Sequence, residues 1–202
     1  MGSPLIKENN TNFWQAVTLV DGDGEVINIG DVASTGEKNI VFVKKLDTIG
    51  DGSGSESQNI DGSITPVVFK LKPPGGDIYN VTRIIFLIRD NASFDSGGWG
   101  ALGGTPLSNG CVLGKVLDGT SYSGFTLKSN ADIAGLCFDI AHDSWGSGDE
   151  FLTARFTFTK LGAPIRLIGD NGDELNFTIN DNLTGLTDQY ITAEGYFENK
   201  LY

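Results

Sequence analysis

The chain has 202 residues, of which 39% are hydrophobic and 20% charged, and its formal net charge is −12. This length suits one large β domain or two small ones, and the composition is that of a folded protein. The acidic balance argues against nucleic acid as a partner, because phosphate binding needs clustered Lys and Arg. The longest apolar run, Ile84 to Ile88, is too short to cross a bilayer, and the N-terminus lacks a secretory signal pattern, so no membrane partner is expected.

Short β-branched and aromatic runs recur along the chain between turns rich in glycine, of which there are 28. No segment shows an apolar stripe at helical spacing. The pattern predicts an all-β fold, an antiparallel β-sandwich or barrel with long Gly-rich loops. In chain order the runs are FWQAVTLV, EVINI, NIVFVKKL, ITPVVFKLK, YNVTRIIFLI, CVLGKVL, SGFTLKS, GLCFDIA, FLTARFTFTK, APIRLIG, ELNFTIN and QYITAEGYFE.

Three glycine-rich stretches predict the connections between these runs. VDGDGEV, from Val20 to Val26, and IGDNGDEL, from Ile168 to Leu175, contain Asp-Gly and Asn-Gly pairs, which favour tight hairpins. The segment from Asp47 to Ser63 has almost no bulky side chains. It is predicted to be a flexible surface loop over 47–63, or an insertion that orders against a neighbour.

Two runs indicate their place in the sandwich. IIFLI is apolar on both faces, which predicts a central strand covered on both sides. Arg83 and Arg89 are predicted to lie at its two solvent-exposed ends. FLTARFTFT alternates, which predicts one buried face. That face carries Leu152, Ala154, Phe156 and Phe158.

No complete set of catalytic residues is visible. His142 is the only imidazole, and no GxSxG elbow accompanies it, so a Ser-His-Asp site is not predicted. Acids cluster around Trp145, a pattern that can serve sugar hydrolysis or sugar binding by stacking. With 26 acids in the chain, such clusters also arise from composition alone. The cluster comprises Asp139, Asp143, Asp149 and Glu150.

Neither the acids nor the cysteines predict a metal site or a cofactor. Asp21, Asp23 and Glu25 imitate the start of a calcium loop, but Val26 and Val32 occupy the positions where an EF-hand needs Gly and Glu. A hairpin turn explains this run, and the similar run of Asp170, Asp173 and Glu174; the alternative is a weak calcium site between loops from different strands. Cys111 and Cys137 lie in apolar strands and no CxxC pair is present, so two reduced thiols are predicted.

The loop from Asn91 to Gly110 follows the most apolar strand and contains its own apolar side chains. Phe94, Trp99 and Leu102 offer anchors, and Pro106 favours an extended exit towards the next strand. The loop is therefore predicted to be ordered. It either packs on its own sandwich as an Ω-loop or contacts a second chain.

The stretch RIIFLIRDNASFDSGGWGALGGTPLSNGCVLGKV resembles virion structural proteins of tailed bacteriophages. The likeness lies in an apolar strand, a D-N/D-S motif, a Gly-rich segment and an L-S-N-G turn, and NDNLTGLTDQYITAEGYFE is similar to the way those chains close. It extends from about residue 80 onward. The matching residues are Asp90, Asn91 and Ser93, Gly97, Gly98 and Gly100, and Leu107, Ser108, Asn109 and Gly110.

This resemblance implies a jelly-roll-like sandwich on the head, neck or tail of a phage particle, made in the host cytoplasm. A polar N-terminal arm over 1–12, followed by a single domain over 13–202, agrees with such a protein. The expected partners are further copies of the chain, as a homo-oligomer such as a trimer, and other virion proteins. The expected contact residues are Phe94, Trp99, Leu102 and Pro106 of the loop and Leu5 and Ile6 of the arm.

Function is therefore predicted to be non-enzymatic: a capsid decoration or neck and tail accessory protein that works by burying surface. The alternative is a carbohydrate-binding or receptor-binding module of the virion. Trp99, Tyr122 and Trp145 would then be the stacking platforms. A glycosidase using Asp143 and Glu150 is the third hypothesis.

Overall fold

The computed structural model describes residues 19–20, 26–27, 39–136, 139–145 and 149–201. The chain forms two compact units, Met1–Lys38 and Asn39–Tyr202. In the first unit, β1 (Leu19–Val20) pairs antiparallel with β2 (Val26–Ile27), as the Val20–Val26 turn predicted. The predicted arm over residues 1–12, with Leu5 and Ile6, lies outside the described residues.

The second unit contains ten strands, one short α-helix and two 3-10 turns among the residues described. The 3-10 turns are Phe158–Leu161 and Gly169–Asn171. The strands and helix are β3 (Asn39–Lys45), β4 (Val67–Leu71), β5 (Ile78–Asp90), β6 (Cys111–Leu117), β7 (Thr120–Leu127), α1 (Asn130–Leu136), β8 (Asp139–Trp145), β9 (Asp149–Thr157), β10 (Ile165–Ile168), β11 (Glu174–Ile179) and β12 (Asp188–Leu201).

These strands form two antiparallel sheets. The larger sheet has the order β3-β12-β5-β9-β8, with β10 also paired to β5, and the smaller has the order β4-β11-β6-β7. Four of the pairs are nested: β3 with β12, β4 with β11, β5 with β9, and β6 with β7. When one long hairpin is rolled up, its nested strand pairs are divided between two sheets. The predicted all-β sandwich is confirmed, and its strand order is that of a jelly roll.

The innermost of these nested pairs, β6 and β7, is joined by a tight hairpin turn. Leu117 pairs with Thr120, which leaves only Asp118 and Gly119 in the loop, and both have positive φ, of 49° and 71°. A two-residue Asp-Gly loop with this backbone matches the twist of the flanking strands. By contrast, the hairpin predicted over Ile168–Leu175 is wrong.

The Ile168–Leu175 segment crosses between the sheets, because β10 pairs with β5 whereas β11 pairs with β4 and β6. The buried Asp173 carboxylate fixes the crossover. It accepts hydrogen bonds from the backbone N–H groups of Ile168, at 2.9 Å, and Asp118, at 2.8 Å. Asp-Gly and Asn-Gly pairs specify a tight turn, but not whether the following strand returns to the same sheet.

The core lies between the two sheets and is built by alternation along the strands. On β5, Ile84, Phe86 and Ile88 are buried, and β5 lies between β12 and β9, so its predicted central position is confirmed. The ring of Phe86 meets Phe177 of the smaller sheet edge-on, with centroids 6.0 Å apart. On β9 the predicted Leu152, Ala154 and Phe156 are buried, while Phe158 begins a 3-10 turn and packs against Phe156.

The 47–63 segment, predicted to be flexible, is instead held against its own sandwich. The carboxylate of Asp47 is buried and accepts hydrogen bonds from the N–H groups of Gly50 and Gly54. Gln58 is also buried. Its backbone N–H donates to Gln189 O at 2.8 Å, and its side-chain amide donates to Leu46 O at 2.7 Å. Backbone and carboxylate bonds thus order the segment in place of bulky side chains.

The helix α1 has no counterpart in the strand pattern. Its N-terminus is capped by Ser129, whose hydroxyl accepts from Asp132 N–H, while the Asp132 carboxylate accepts from Lys128 N–H at 2.8 Å. The Ser129 hydroxyl is thus the N-cap, and the Asp132 carboxylate reaches one residue further back than it would in a capping box. This capping allows a helix of seven residues, with Ile133 packed into the core, to connect β7 to β8.

Replacement of Phe177 by Ala tests the core contact between the sheets. We expect the free energy of unfolding to fall by about 3–5 kcal/mol, because a fully buried ring is lost and a cavity remains. Urea denaturation followed by circular dichroism measures the change. Phe125→Ala is the matched control, since Phe125 is 46% exposed, and its cost should be about 1 kcal/mol. Equal losses in the two variants would contradict this account of the core.

Replacement of Asp47 by Ala tests the ordering of the 47–63 segment. One buried and one half-buried N–H group lose their acceptor, so we expect a loss of about 1–3 kcal/mol and faster cleavage by Glu-C protease after Glu56. Asp61→Ala is the control in the same segment, since Asp61 is exposed and bonds only Ser63 through its side chain. Wild-type protein cleaved after Glu56 as rapidly as the Asp47 variant would show that the segment is mobile.

Candidate functional site

The Gly-rich loop packs into its own sandwich through Trp99. The indole is 0% exposed, stacks against Phe177 with centroids 6.3 Å apart, and donates from Nε1 to Gln189 Oε1 at 2.6 Å. Gly100 follows with a φ of +58°, and a Cβ there would lie 2.5 Å from a methyl of Leu186. The position therefore requires glycine, for both its backbone conformation and its close packing.

The rest of the loop is tied to α1 and β9. Asn130 of α1 accepts from Gly100 N–H and donates to Gly100 O, both at 2.9 Å. Phe94 is half-buried against the core, and its N–H donates to Glu150 at 2.9 Å. Leu102 is likewise half-buried, whereas Pro106 is exposed. Of the loop residues predicted at an interface, Pro106 is the one that faces solvent most fully.

Two roles predicted for Trp99 are therefore corrected. A side chain with no exposed surface offers neither a stacking platform for a sugar nor a contact with a second chain, because its own core covers it. Tyr122 is 49% exposed on β7, with Lys115 Nζ 5.8 Å from its ring centroid. The side chain of Trp145 lies outside the described part of the structure. The predicted three-residue platform is not assembled.

The larger sheet carries a surface that the sequence reading did not identify, which we call the outer apolar face: Val41 and Val43 of β3 with Ile85 and Leu87 of β5. Each valine is 71% exposed, and the two β5 residues are half-buried. The predicted cover of IIFLI is only partial on its outer side, where Ile85 and Leu87 are half-buried between β12 and β9. The signal was the alternation in NIVFVKKL, which places both valines on one face.

Ion pairs lie among and beside these apolar residues. Arg83 bonds Glu194 at 3.0 Å. Arg89 bonds Asp149 at 2.8 Å and Asp188 at 3.3 Å, and the hydrogen bond and charge of Asp149 raise the pKa of this guanidinium. Each arginine lies beside acidic partners from adjacent strands. Glu194 of β12 pairs with Val43 on one side and with Arg83 on the other, so apolar and charged side chains are interspersed on this face.

A second feature is an open groove of about 510 Å³ at the side of the sandwich where β3 and β4 are the edge strands. Tyr79 and Phe197 form its floor, with ring centroids 5.0 Å apart and nearly perpendicular planes. The turn Pro73–Gly75 forms one wall, and the loop of Ile49, Gly50 and Asp51 forms the other.

The walls of the groove are fixed by hydrogen bonds. Lys44 Nζ donates to Asp51 O at 2.7 Å, and Lys72 N–H donates to Gly50 O at 2.6 Å. Burial, with the negative charges of Asp77 and Asp51 nearby, raises the pKa of the Tyr79 phenol. The groove thus combines a neutral phenol, two carboxylates and two ammonium groups around an aromatic floor.

The acids suspected of catalysis have structural partners where the structure describes them. Asp149 is held by Arg89, and Glu150 accepts the N–H of Phe94. The side chains of Asp139, His142 and Asp143 lie outside the described residues. Within the described ranges, no group of three or more His, Cys, Asp or Glu is arranged to hold a metal ion.

Cys111 is a free, fully buried thiol at the start of β6. Burial, together with the negative charge of Asp181, raises its pKa far above the usual range. That carboxylate also accepts the N–H groups of Asn109 and Gly110, and so fixes the turn that leads into β6. Cys137 lies outside the described residues.

An exposed arginine–carboxylate pair joins β10 to β12. Arg166 donates to both carboxylate oxygens of Glu198, from Nε at 2.7 Å and from a terminal nitrogen at 2.9 Å, and Asn80 of β5 adds a bond at 3.1 Å. These bonds to Arg166 and Asn80 lower the pKa of Glu198 from 4.5 to about 2.

Comparison with protein-family models, with curated proteins and with solved structures finds no match for this chain. Among the described residues, α1 is far too short to span a membrane, and no other helix has the length and apolar character to do so. The functional argument therefore rests on the outer apolar face and the groove.

The Glu198 pair predicts a specific dependence of stability on pH. Because the folded-state pKa is depressed, the contribution is fully present above about pH 4.5 and is lost as pH falls towards 2. NMR titration of the Glu198 carboxyl measures this pKa directly. In Arg166→Gln the pKa should rise back towards 4.5, and acid unfolding should begin at a higher pH. An unchanged pKa in that variant would contradict the pairing.

Proposed function

We propose that this protein is a non-enzymatic structural component of a tailed-phage virion, such as a capsid decoration or a neck or tail accessory protein. It binds further copies of itself, and neighbouring virion proteins, through the outer apolar face. The resemblance around Asp90–Gly110 and in the closing strand supports the virion assignment. A jelly roll suits such a role, since two packed sheets present broad, rigid faces to neighbouring subunits.

The observation that carries the proposal is the pair of exposed valines on an edge strand. Single exposed apolar residues are common, but Val41 and Val43 lie two residues apart on one face of β3. The half-buried Ile85 and Leu87 lie on the same side of the sheet, two strands away and separated from the valines by β12. Folded proteins usually protect an exposed apolar edge, since it is prone to pair with another chain. Interfaces between subunits that also exist alone are about as apolar as the rest of a protein surface, so a mixed face of this kind suits such a contact.

Charge favours this face over others for contact between copies. The chain carries a net charge of −12, so two copies repel each other in general. At the outer apolar face, Arg83 and Arg89 are each matched by acids of the same subunit. Two such faces can approach with little repulsion, which favours self-association there.

The alternative of a sugar-binding platform loses its central residue, because Trp99 is buried. Tyr122 remains exposed, but a single aromatic side chain on an exposed strand gives little basis for a site. The glycosidase hypothesis has weaker support, because Glu150 is engaged by the backbone of Phe94. Contact between subunits is thus the function that the described geometry supports best.

Substitution of both outer valines tests the proposal. In the double variant Val41→Gln and Val43→Gln, we expect the dissociation constant of the oligomer to rise by about tenfold or more, because apolar area no longer leaves water on association. Light scattering across a dilution series measures the mass. Glutamine adds no charge, so any change reflects the lost apolar surface.

The control is Val68→Gln, on the outer side of the smaller sheet, where the valine is 39% exposed. This variant should associate as wild type does. A wild-type protein that stays monomeric at every concentration and does not bind phage particles would refute the proposal. Equal weakening by Val68→Gln would place the contact on another surface.

A further inference from the structure

We infer that the groove beside Tyr79 is a binding site for a neutral saccharide of one or two rings. The site shares no residue with the outer apolar face or with Trp99, Tyr122 and Trp145. Its volume, about 510 Å³, lies within the range of roughly 300–1,000 Å³ that is usual for small-ligand sites. The inference therefore adds an activity to the proposed structural role and does not depend on it.

The groove is built in advance rather than formed by movement. Hydrogen bonds from Lys44 and Lys72 fix the Gly50–Asp51 wall, and Gly76 N–H donates to Asp170 at 2.9 Å on the opposite side. Gly169 is packed so closely that a Cβ would lie 1.9 Å from Pro74 O, so the Pro73–Gly75 wall is held against the core. A preformed site loses little conformational entropy when it binds a ligand.

The polar groups of the groove favour a neutral ligand that can both donate and accept hydrogen bonds. Asp51 and Asp77 supply carboxylate acceptors, and Lys44 and Lys72 supply ammonium donors. The two charges of each sign balance, and an anionic ligand would meet both carboxylates in a chain that is already acidic. Sugar hydroxyls carry a donor and acceptors on the same atom, and so satisfy both kinds of group.

The apolar surfaces of the groove complete the chemistry. Half-buried Phe197 lies on the floor, and Ile49, 68% exposed, and Pro74 rise at the rim. The C–H face of a pyranose ring is apolar while its edge is polar, so it can pack on these side chains as its hydroxyls reach the charged rim. A fully apolar ligand would instead leave the carboxylates and ammonium groups desolvated without partners.

The test is an amide NMR titration of the full chain with lactose, maltose, cellobiose and N-acetylglucosamine, with sialyllactose as the anionic comparison. At least one neutral sugar should shift the amide signals of Gly50, Gly75 and Gly169. Lys72→Met and Asp51→Asn should each weaken that binding by about tenfold, because each removes one charged partner. Both positions are exposed, so the fold should be retained, and the same spectra verify this.

Tyr122→Ala is the matched control, because Tyr122 is an exposed aromatic side chain on another strand. It should leave sugar binding unchanged. The inference is overturned if no neutral sugar shifts the three glycine signals, if sialyllactose binds more tightly than lactose, or if Tyr122→Ala weakens binding as much as Lys72→Met. None of these results would affect the mass of the oligomer, so the two proposals fail independently.

Discussion

The structure depends on one contact between the sheets, where Phe86 of β5 meets Phe177 of β11 edge-on and Trp99 stacks on Phe177 as well. Through the bond from its indole to Gln189 of β12, Trp99 links a loop, both sheets and the last strand. Dispersion and hydrophobic burial at this point hold the rolled hairpin closed. The edge strand β3 and the groove wall owe their positions to the sheets that this contact joins.

Around this core, buried carboxylates hold the loops in position, a role that larger apolar side chains have in other loops. Asp47, Asp173 and Asp181 are each buried, and each accepts backbone N–H groups from a turn. Hydrogen bonds to an ionised acceptor are stronger than bonds between neutral groups. Part of the acidity of the chain therefore serves to order its glycine-rich connections, and solubility is not the only reason for it.

Alternation along the strands was sufficient to predict the sandwich and the buried face of β9, and the continuous apolar run IIFLI predicted the central position of β5. The sequence did not reveal the order of the 47–63 segment, because hydrogen bonds to Asp47 and Gln58 leave no hydrophobic pattern. It missed α1, although Ser129 and Asp132 stand at the spacing of a helix N-cap signal. The groove escaped prediction because residues far apart in sequence, such as Lys44 and Phe197, meet only after the hairpin is rolled.

The buried thiol of Cys111 bears on where such a protein can work. Thiol–disulfide exchange and alkylation require the thiolate, and both burial and the nearby Asp181 oppose its formation. Position 111 is thus chemically inert in the folded chain. If the chain passes from a reducing compartment to an oxidising one, where peroxides and disulfides are present, this cysteine stays a reduced thiol. The turn that leads into β6 would remain intact across that transition.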